Sequence, residues 1–578
     1  MRLSFIISHL SFSVALCVVQ PAQAQIRVNQ VGMTPDQEKT AVVEGVVKAS
    51  QVRIVDTKTG RTAVKPRVLR VAKSPFSDKR RTLIDFSRLT AEGDYVIEAG
   101  SHRQTFTVRS GALREVSKGA LKSYYLMRSG MPIEAKYAGQ WSRPEGHPDT
   151  HVLIHPSAVS PGRPAGTVIS SPKGWYDAGD YNKYVVNSSY SIGLMLCAYE
   201  QCADYFRTLD VNIPESGNQT ADLLDEMMYN LEWLLTMQDP WDGGVYHKLT
   251  TPNFESFVMP ADCRQSRYVV AKSTAAALDF AAVMAQSARL FRGNADYPCF
   301  TERATRAALA AYHWAEQHPA VWYRQNEMNK TFQPAVTTGE YGDGSVADEW
   351  FWAATELYLL TADARFQHDA RQRQPAAFSV PSWASVSALG CYEWLTQCPD
   401  DAMARALRPQ LLAWCDSLVA TVPSSSFQTP SGNRAQDFGW GCLGGAFCSS
   451  GSALLFAYQL TGDNRYLTAA RENADYILGR NATGYCYVTG FGTKSPMHPH
   501  HRVSAADGIE PPFPGLLVGG PNPGQQDKGS GLTYPTSLPD ESWLDNADSY
   551  ASNEIAINWN AELVSLIGWL DSLEKLKR

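Results

Sequence analysis

Between residue 26 and about residue 110, hydrophobic and polar positions alternate with a period of two. The runs KTAVVEG, QVRIVDTKTG, TAVKPRVLRVA, RTLIDFSRL, GDYVIEAG and RQTFTVR are short and punctuated by Gly and Asp. That pattern predicts a small antiparallel β-sandwich over residues 25–112. From about residue 115 the period becomes helical. The segments 221–238 (ADLLDEMMYNLEWLLTMQ), 273–291 (STAAALDFAAVMAQSARLF), 349–360 (EWFWAATELYLL), 453–460 (ALLFAYQL) and 554–573 (EIAINWNAELVSLIGWLDSL) predict helices. ELYLLTADARFQHDA (356–370) echoes AYQLTGDNRYLTAA (457–470) in helix, turn and next-helix start, so residues 113–578 read as reused helical hairpins. Long Gly-, Pro- and aromatic-rich stretches at 141–183 and 480–550 lie between helices. Ordered connections of that length usually build a functional surface.

Composition narrows what that surface meets. With 44% hydrophobic and 19% charged residues the chain is globular and can fill a large core. Lys+Arg 52 against Asp+Glu 58 gives −6 with no basic run, which argues against nucleic acid or an anionic membrane as partner. Fifteen Trp and 26 Tyr supply flat apolar faces with polar edges, suited to an uncharged sugar. The start, MRLSFIISHLSFSVALCVVQPAQAQ, places Arg2 before an apolar stretch and Ala22-Gln23-Ala24 before Gln25. Residues 1–24 therefore read as a signal peptide, which implies export and no membrane span in the mature chain. Ten cysteines follow with no C-x-x-C spacing, so buried thiols are the expectation.

Two loop segments combine carboxylates with aromatics. The first runs Trp175-Tyr176-Asp177-Ala178-Gly179-Asp180-Tyr181, where small residues let two carboxylates turn toward one point. The second carries Trp543, Asp545, Tyr550 and Glu554, with Glu554 opening the last helical run. A carboxylic acid to protonate a leaving oxygen and a carboxylate to activate water are what glycosidic bond cleavage requires. Taken singly, Asp177 and Asp180 also suit turn caps and Glu554 a helix N-terminal charge.

Together these segments resemble the signatures of family-nine glycoside hydrolases, the inverting cellulases and related β-glucanases. WYDAGDYNKY is similar to their catalytic-base motif. Trp543, Asp545, Tyr550, Glu554, Ala556, Asn560 and Ala561 fall at the positions of their acid signature. Gly492, Lys494, Pro499, His500 and Arg502 fit most of a histidine signature, with Cys486 as the departure. IRVNQVGMTPDQEKTAVV resembles the immunoglobulin-like module that precedes some of these enzymes. The resemblance implies a mainly α fold, an (α/α)6 barrel after an immunoglobulin-like sandwich. It implies Asp180 as general base, Asp177 as its partner on the water and Glu554 as general acid. His500, Arg502, Asp545 and Tyr550 become substrate-binding or supporting positions, with Trp175, Trp241, Trp440 and Trp543 as candidate stacking platforms.

No cofactor is required by this chemistry. Zinc is not expected, because SRPEGHPDTH keeps His147 and His151 but has Gly146 where zinc-bearing relatives carry Cys. Asp348 and Glu349 resemble a calcium-binding segment, although the SWASVS stretch at 382–387 lacks a further acidic ligand. The VYHK segment is followed by LTTPNFESFVMPADC in place of the His and Trp-Pro-Glu group of many cellulases, which implies a different glucan preference. The expected activity is that of an exported monomeric endo-β-1,4-glucanase on cellulose-like, mixed-linkage or xyloglucan chains, with soluble or amorphous glucans favoured. The alternatives are exo-action on oligosaccharides, as a β-glucosidase or cellobiohydrolase, and a non-catalytic glucan-binding protein.

Overall fold

The structure, a computed structural model, describes residues 25–575; the signal-peptide segment lies outside the described residues. The N-terminal module packs two antiparallel four-stranded sheets. One has the order β1-β2-β6-β5, formed by Ile26–Arg27, Thr40–Glu44, Arg80–Asp85 and Arg67–Lys73. The other has the order β4-β3-β7-β8, formed by Thr62–Val64, Val52–Asp56, Gly93–Ala99 and His102–Val108. Ala41, Val43, Ile54, Ile84, Ile97 and Phe106 fill the space between them. Strand β2 departs from simple alternation because four of its residues are buried. Val42 and Leu83 face away from the sandwich and join the core of the helical domain, so one sheet is covered on both faces. Arg81, fully buried at that junction, pairs with Glu44 and Asp540, and its guanidinium lies over Phe427.

The helical domain alternates one-faced and fully enclosed helices. Among the described residues the outer set is α1 (Arg114–Leu126), α3 (Asp222–Thr236), α5 (Phe300–Gln317), α7 (Ala364–Gln372), α9 (Ala402–Val419) and α11 (Asn464–Ile477). The inner set is α2 (Val185–Gln201), α4 (Thr274–Leu290), α6 (Ala347–Thr361), α8 (Ser387–Gln397), α10 (Ser450–Thr461) and α12 (Ile557–Lys575). Helix α2 buries every residue from Val185 to Tyr199, whereas α5 buries a stripe of Ala304, Ala307, Ala308, Ala311 and Ala315. A helix apolar all round belongs inside; a striped one closes the outside. The inner helices α12, α2, α4, α6 and α8 meet in succession, giving the (α/α)6 barrel that the resemblance implied.

The repeated hairpin corner is the same atom for atom. Thr361 and Thr461 each bond the carbonyl four residues back at 2.7 Å, and Asp363 and Asp463 each cap the next helix through the amide two residues on. The residue between them is left-handed in both, Ala362 at φ 58° and Gly462 at φ 71°. Loops at the N-terminal ends of the inner helices carry a five-stranded sheet of order β10-β9-β13-β12-β11, formed by Val168–Ile169, Val152–Ile154, Arg267–Val269, Lys248–Thr250 and Lys183–Tyr184. The ten cysteines among the described residues are free, seven of them buried.

Candidate active site

Asp177 and Asp180 lie on the turn that precedes β11 and α2. Glu554 reaches the same point from the far end of the chain, but not from a helix. It is extended at φ −70° and ψ 157°, and α12 begins only at Ile557. The difference from the expected helical start has a structural cause. Glu554 pairs with His500, Ile555 with Val518 and Ala556 with Ala178, so three separate segments hold this strand straight. The Ala178–Ala556 pair ties the acid strand directly to the aspartate turn. Gly179 makes the approach possible: a Cβ there would lie 2.3 Å from the His500 carbonyl and 3.1 Å from Glu554 Oε1.

Each aspartate is held by its own donors. Asp177 Oδ1 accepts from Asn187 Nδ2 at 2.8 Å and Oδ2 from the Tyr341 hydroxyl at 2.7 Å. Asp180 Oδ2 accepts from Asn182 Nδ2 at 2.5 Å and from the Tyr184 hydroxyl at 3.0 Å. Burial and then the adjacent Asp180 charge push Asp177 up to about 8, against the pull of Asn187 and Tyr341. Glu554 is held well above the usual carboxylate range by desolvation first and by the Asp180 charge next, with Arg502 opposing. A protonated carboxyl with part of its side chain open to solvent, beside an aspartate clasped by donors, is an acid and base arrangement.

The three carboxyls open into a cavity of about 590 Å³ whose walls include Tyr184, Phe254, Tyr341, Trp383, Trp440 and Trp559. Trp559 fits a slot made by glycines, since a Cβ at Gly441 or Gly444 would come within 2.2 or 2.9 Å of its side chain. Gly444 belongs to a single π-helical turn, Leu443–Ser449, leading into α10, a distortion often found at functional sites. Trp440 is 50% exposed and packs at 5.7 Å on Tyr550. Tyr550 in turn packs on His500.

The other expected platforms are corrected. Trp175 is fully buried, packs on Tyr124 at 4.6 Å and donates its indole N–H to Glu226 at 2.8 Å. It is core and cannot stack on a sugar. Trp543 is likewise buried, against Tyr485 and Tyr487. Trp241 is exposed but does not line this cavity.

His500, Asp545 and Arg502 come to the site in supporting positions. The His500 Nδ1–H donates to the Ala547 carbonyl at 2.6 Å, and burial lowers the imidazole to about 4, so the neutral ring leaves Nε2 as an acceptor. Asp545 takes the Met497 and His498 amides and so fixes the loop carrying His500. Arg502 spends Nε on the Glu255 carbonyl and Nη1 on the Gly179 carbonyl, both at 2.7 Å, and its guanidinium lies near Phe254 and Phe257. It clamps the 254–257 loop to the aspartate turn. Tyr341, Asn187 and Trp559 were not anticipated. Tyr341 carries the one visible sign of its role, a left-handed backbone at φ 47°, which costs a non-glycine residue about 1 to 3 kcal/mol.

The metal expectations meet different outcomes. At Gly146 a Cβ would fall 2.3 Å from Pro260, so a cysteine has no room there. His147 is half-buried with Nδ1 on the Tyr176 hydroxyl, and His151 is exposed. Asp348 and Glu349 do meet a third carboxyl, Asp279 on α4, through their mutual repulsion. Both Asp279 oxygens and Glu349 Oε2 are buried without a hydrogen-bond partner, while Asp348 Oδ2 accepts the Val386 amide. Among the described residues no three His, Cys, Asp or Glu side chains are arranged to hold an ion. Burial first and the charges of the neighbouring carboxyls next push Glu349 up to about 12 and Asp279 well above the usual range.

Comparison with known proteins identifies the family. Residues 114–567 match glycosyl hydrolase family 9, and residues 21–104 match the cellulase N-terminal Ig-like domain. A xyloglucan-specific endo-β-1,4-glucanase of Bacteroides ovatus is 55% identical over 554 residues, covering 95% of this chain and 94% of that protein. Endoglucanase D of Acetivibrio thermocellus is 33% identical over 564 residues, covering 95% of this chain and 84% of that one. The solved structure of a Bacteroides ovatus GH9 protein superposes with a TM-score of 0.91 at 53% identity, covering 95% of this chain and 99% of that one.

Proposed function

The chain belongs to glycosyl hydrolase family 9, and from that premise we propose an exported, inverting endo-β-1,4-glucanase with Asp180 as general base and Glu554 as general acid. One observation carries the assignment. The Ala178–Ala556 bridge holds the acid strand against the aspartate turn at the floor of an aromatic-walled cavity. Glu554, kept protonated by burial, gives its proton to the leaving glycosidic oxygen. Asp180 takes a proton from water on the opposite face of the sugar, and that water attacks the anomeric carbon. Asp177, fixed by Asn187 and Tyr341, holds the other side of the water. The reaction uses no cofactor. Among the described residues no helix is long and apolar enough to cross a membrane.

The substrate reading is a decorated β-1,4-glucan, with xyloglucan foremost. It is supported by the name of the 55% identical relative and by the loop after VYHK, where Phe254 and Phe257 stand 44% and 38% exposed. Exposed rings there offer apolar faces to sugar branches outside the main chain. The test is hydrolysis of xyloglucan, mixed-linkage glucan and carboxymethylcellulose, with proton NMR of the first product formed. Inversion requires the α-anomer: inverting enzymes hold their two carboxyls roughly 6.5 to 9.5 Å apart, which admits water between base and sugar, and that separation is expected between Asp180 and Glu554. An initial β-anomer would replace the proposed chemistry with a retaining one.

A further inference from the structure

Lys248 sits directly across from Tyr184 in the β11–β12 pair. Its side chain is fully buried, and its three N–H donors go to neutral oxygens: Gln325 Oε1 at 2.7 Å, Thr338 Oγ1 at 2.9 Å and the Gly339 carbonyl at 2.5 Å. Lys183, equally buried on the facing strand, has Asp149 at 2.7 Å. A buried ammonium without a carboxylate at contact is costly unless a nearby negative charge offsets it. The carboxylates that act on Lys248 are Asp180, Glu340 and Asp177, and Glu340 is exposed, where water screens it. That leaves the aspartates of the site. The path between them is short: the ammonium lies 5.4 Å from the centre of the Tyr184 ring, and the Tyr184 hydroxyl donates to Asp180 Oδ2 at 3.0 Å. The Gly339 amide, next to the carbonyl that Lys248 holds, donates back to that hydroxyl at 3.1 Å.

We propose that Lys248 is a charged positioning residue for the general base: its buried ammonium, acting across Tyr184 and the Gly339 peptide, keeps the Asp180 carboxylate ionised and aimed at the water. The inference rests on the proposed role of Asp180. The other titratable groups packed around Lys248 are Tyr184, Tyr323 on the opposite side at 5.6 Å, and the neighbouring His247, which stacks on Tyr323 and bonds the Glu340 carbonyl. Burial brings Lys248 down to about 7 and His247 to about 3, so below neutrality the ammonium is charged while the imidazole is not. The charge is thus present on the acid side of the pH profile.

The test is the pH profile of kcat/KM on a soluble β-glucan for wild type, Lys248→Met and Lys248→Gln, with circular dichroism on each. Met keeps the bulk, Gln keeps hydrogen bonding, and both lose the charge. The acid limb is expected to move up by about 0.5 unit or more in both, a loss of about threefold on the acid side that recovers at higher pH. A limb unmoved in a folded variant, with activity reduced evenly at all pH values, would reduce Lys248 to a structural strap and overturn the proposal. Asp180→Asn measured alongside separates the two assignments. If it is inactive while the Lys248 limbs stay put, only the Lys248 role fails; if it is active, the base assignment itself fails.

Discussion

Two trios of carboxyls lie near the N-terminal ends of inner helices, and they differ in almost everything but composition. Asp177, Asp180 and Glu554 open into the cleft, and the aspartate oxygens rest on Asn187, Tyr341, Asn182 and Tyr184. Asp279 and Glu349 are sealed between α4 and α6 with three orphaned oxygens, and Asp348 lies half-buried beside them. Burial raises carboxyl groups in both. What separates a working site from a structural burden is the set of donors that fixes which oxygen is charged, together with room for water and substrate. A perturbed carboxyl alone would have pointed to both clusters equally.

The comparison breaks most sharply if the charge roles are exchanged. Asp180→Asn and Glu554→Gln are each expected to lower kcat by on the order of 10² to 10⁴ with an unchanged circular dichroism spectrum, since each removes one proton transfer without altering size. Asp279→Asn is expected to leave kcat unchanged. Near wild-type turnover in either catalytic variant, or a collapse of turnover in Asp279→Asn, would erase the distinction between the trios.

A smaller effect tests the donors themselves. Tyr341→Phe removes the 2.7 Å bond to Asp177 Oδ2 and leaves the ring on Tyr184 and Trp383. A hydrogen bond is worth about 0.5 to 1.5 kcal/mol, so kcat should fall by up to roughly tenfold with KM little changed. The same variant is expected to raise Asp177 further, because the Tyr341 bond is one of the two that pull it down. A variant with full kcat would make Tyr341 a wall of the cleft and nothing more.

The two trios were unequally legible in the sequence. Asp177, Asp180 and Glu554 stand in contiguous motifs, and the corner at Asp363 and Asp463 repeats visibly because capping is local. Asp279 sat inside an apolar helical run, and no local pattern brings it to Glu349 on another helix. Tyr341 and Lys248 are likewise defined by partners far along the chain. Trp175 misled because a loop sequence does not say which side of the turn its ring faces; here Tyr124 and Glu226 claim it. Strand β2 lost its alternation for a related reason, since Val42 is covered by the barrel rather than by its own sandwich. The helical periodicity of EIAINWNAEL predicts a helix from Glu554, but three bridges outcompete the first turn.

The smallest expected effect is on stability, and its sign follows from the carboxyls. Asp279 and Glu349 have folded values raised above those of the unfolded chain. At a pH below the ordinary carboxyl range Asp279 and Glu349 are protonated in both states and their burial carries no ionisation cost. As pH rises, the unfolded chain releases protons that folded Asp279 and Glu349 retain, so stability is lost progressively toward neutrality and beyond. Asn at 279 cannot ionise and relieves the repulsion on Glu349. Asp279→Asn is therefore expected to raise Tm near pH 7 by about a degree or more, to leave it unchanged near pH 3, and to flatten its decline between. Calorimetry across that range, with and without added calcium, reads the result. A lower Tm in the variant, joined to a calcium-dependent gain that wild type shows and the variant lacks, would turn the sealed trio into a cation site. The contrast with the cleft would then be between two kinds of functional carboxyl cluster.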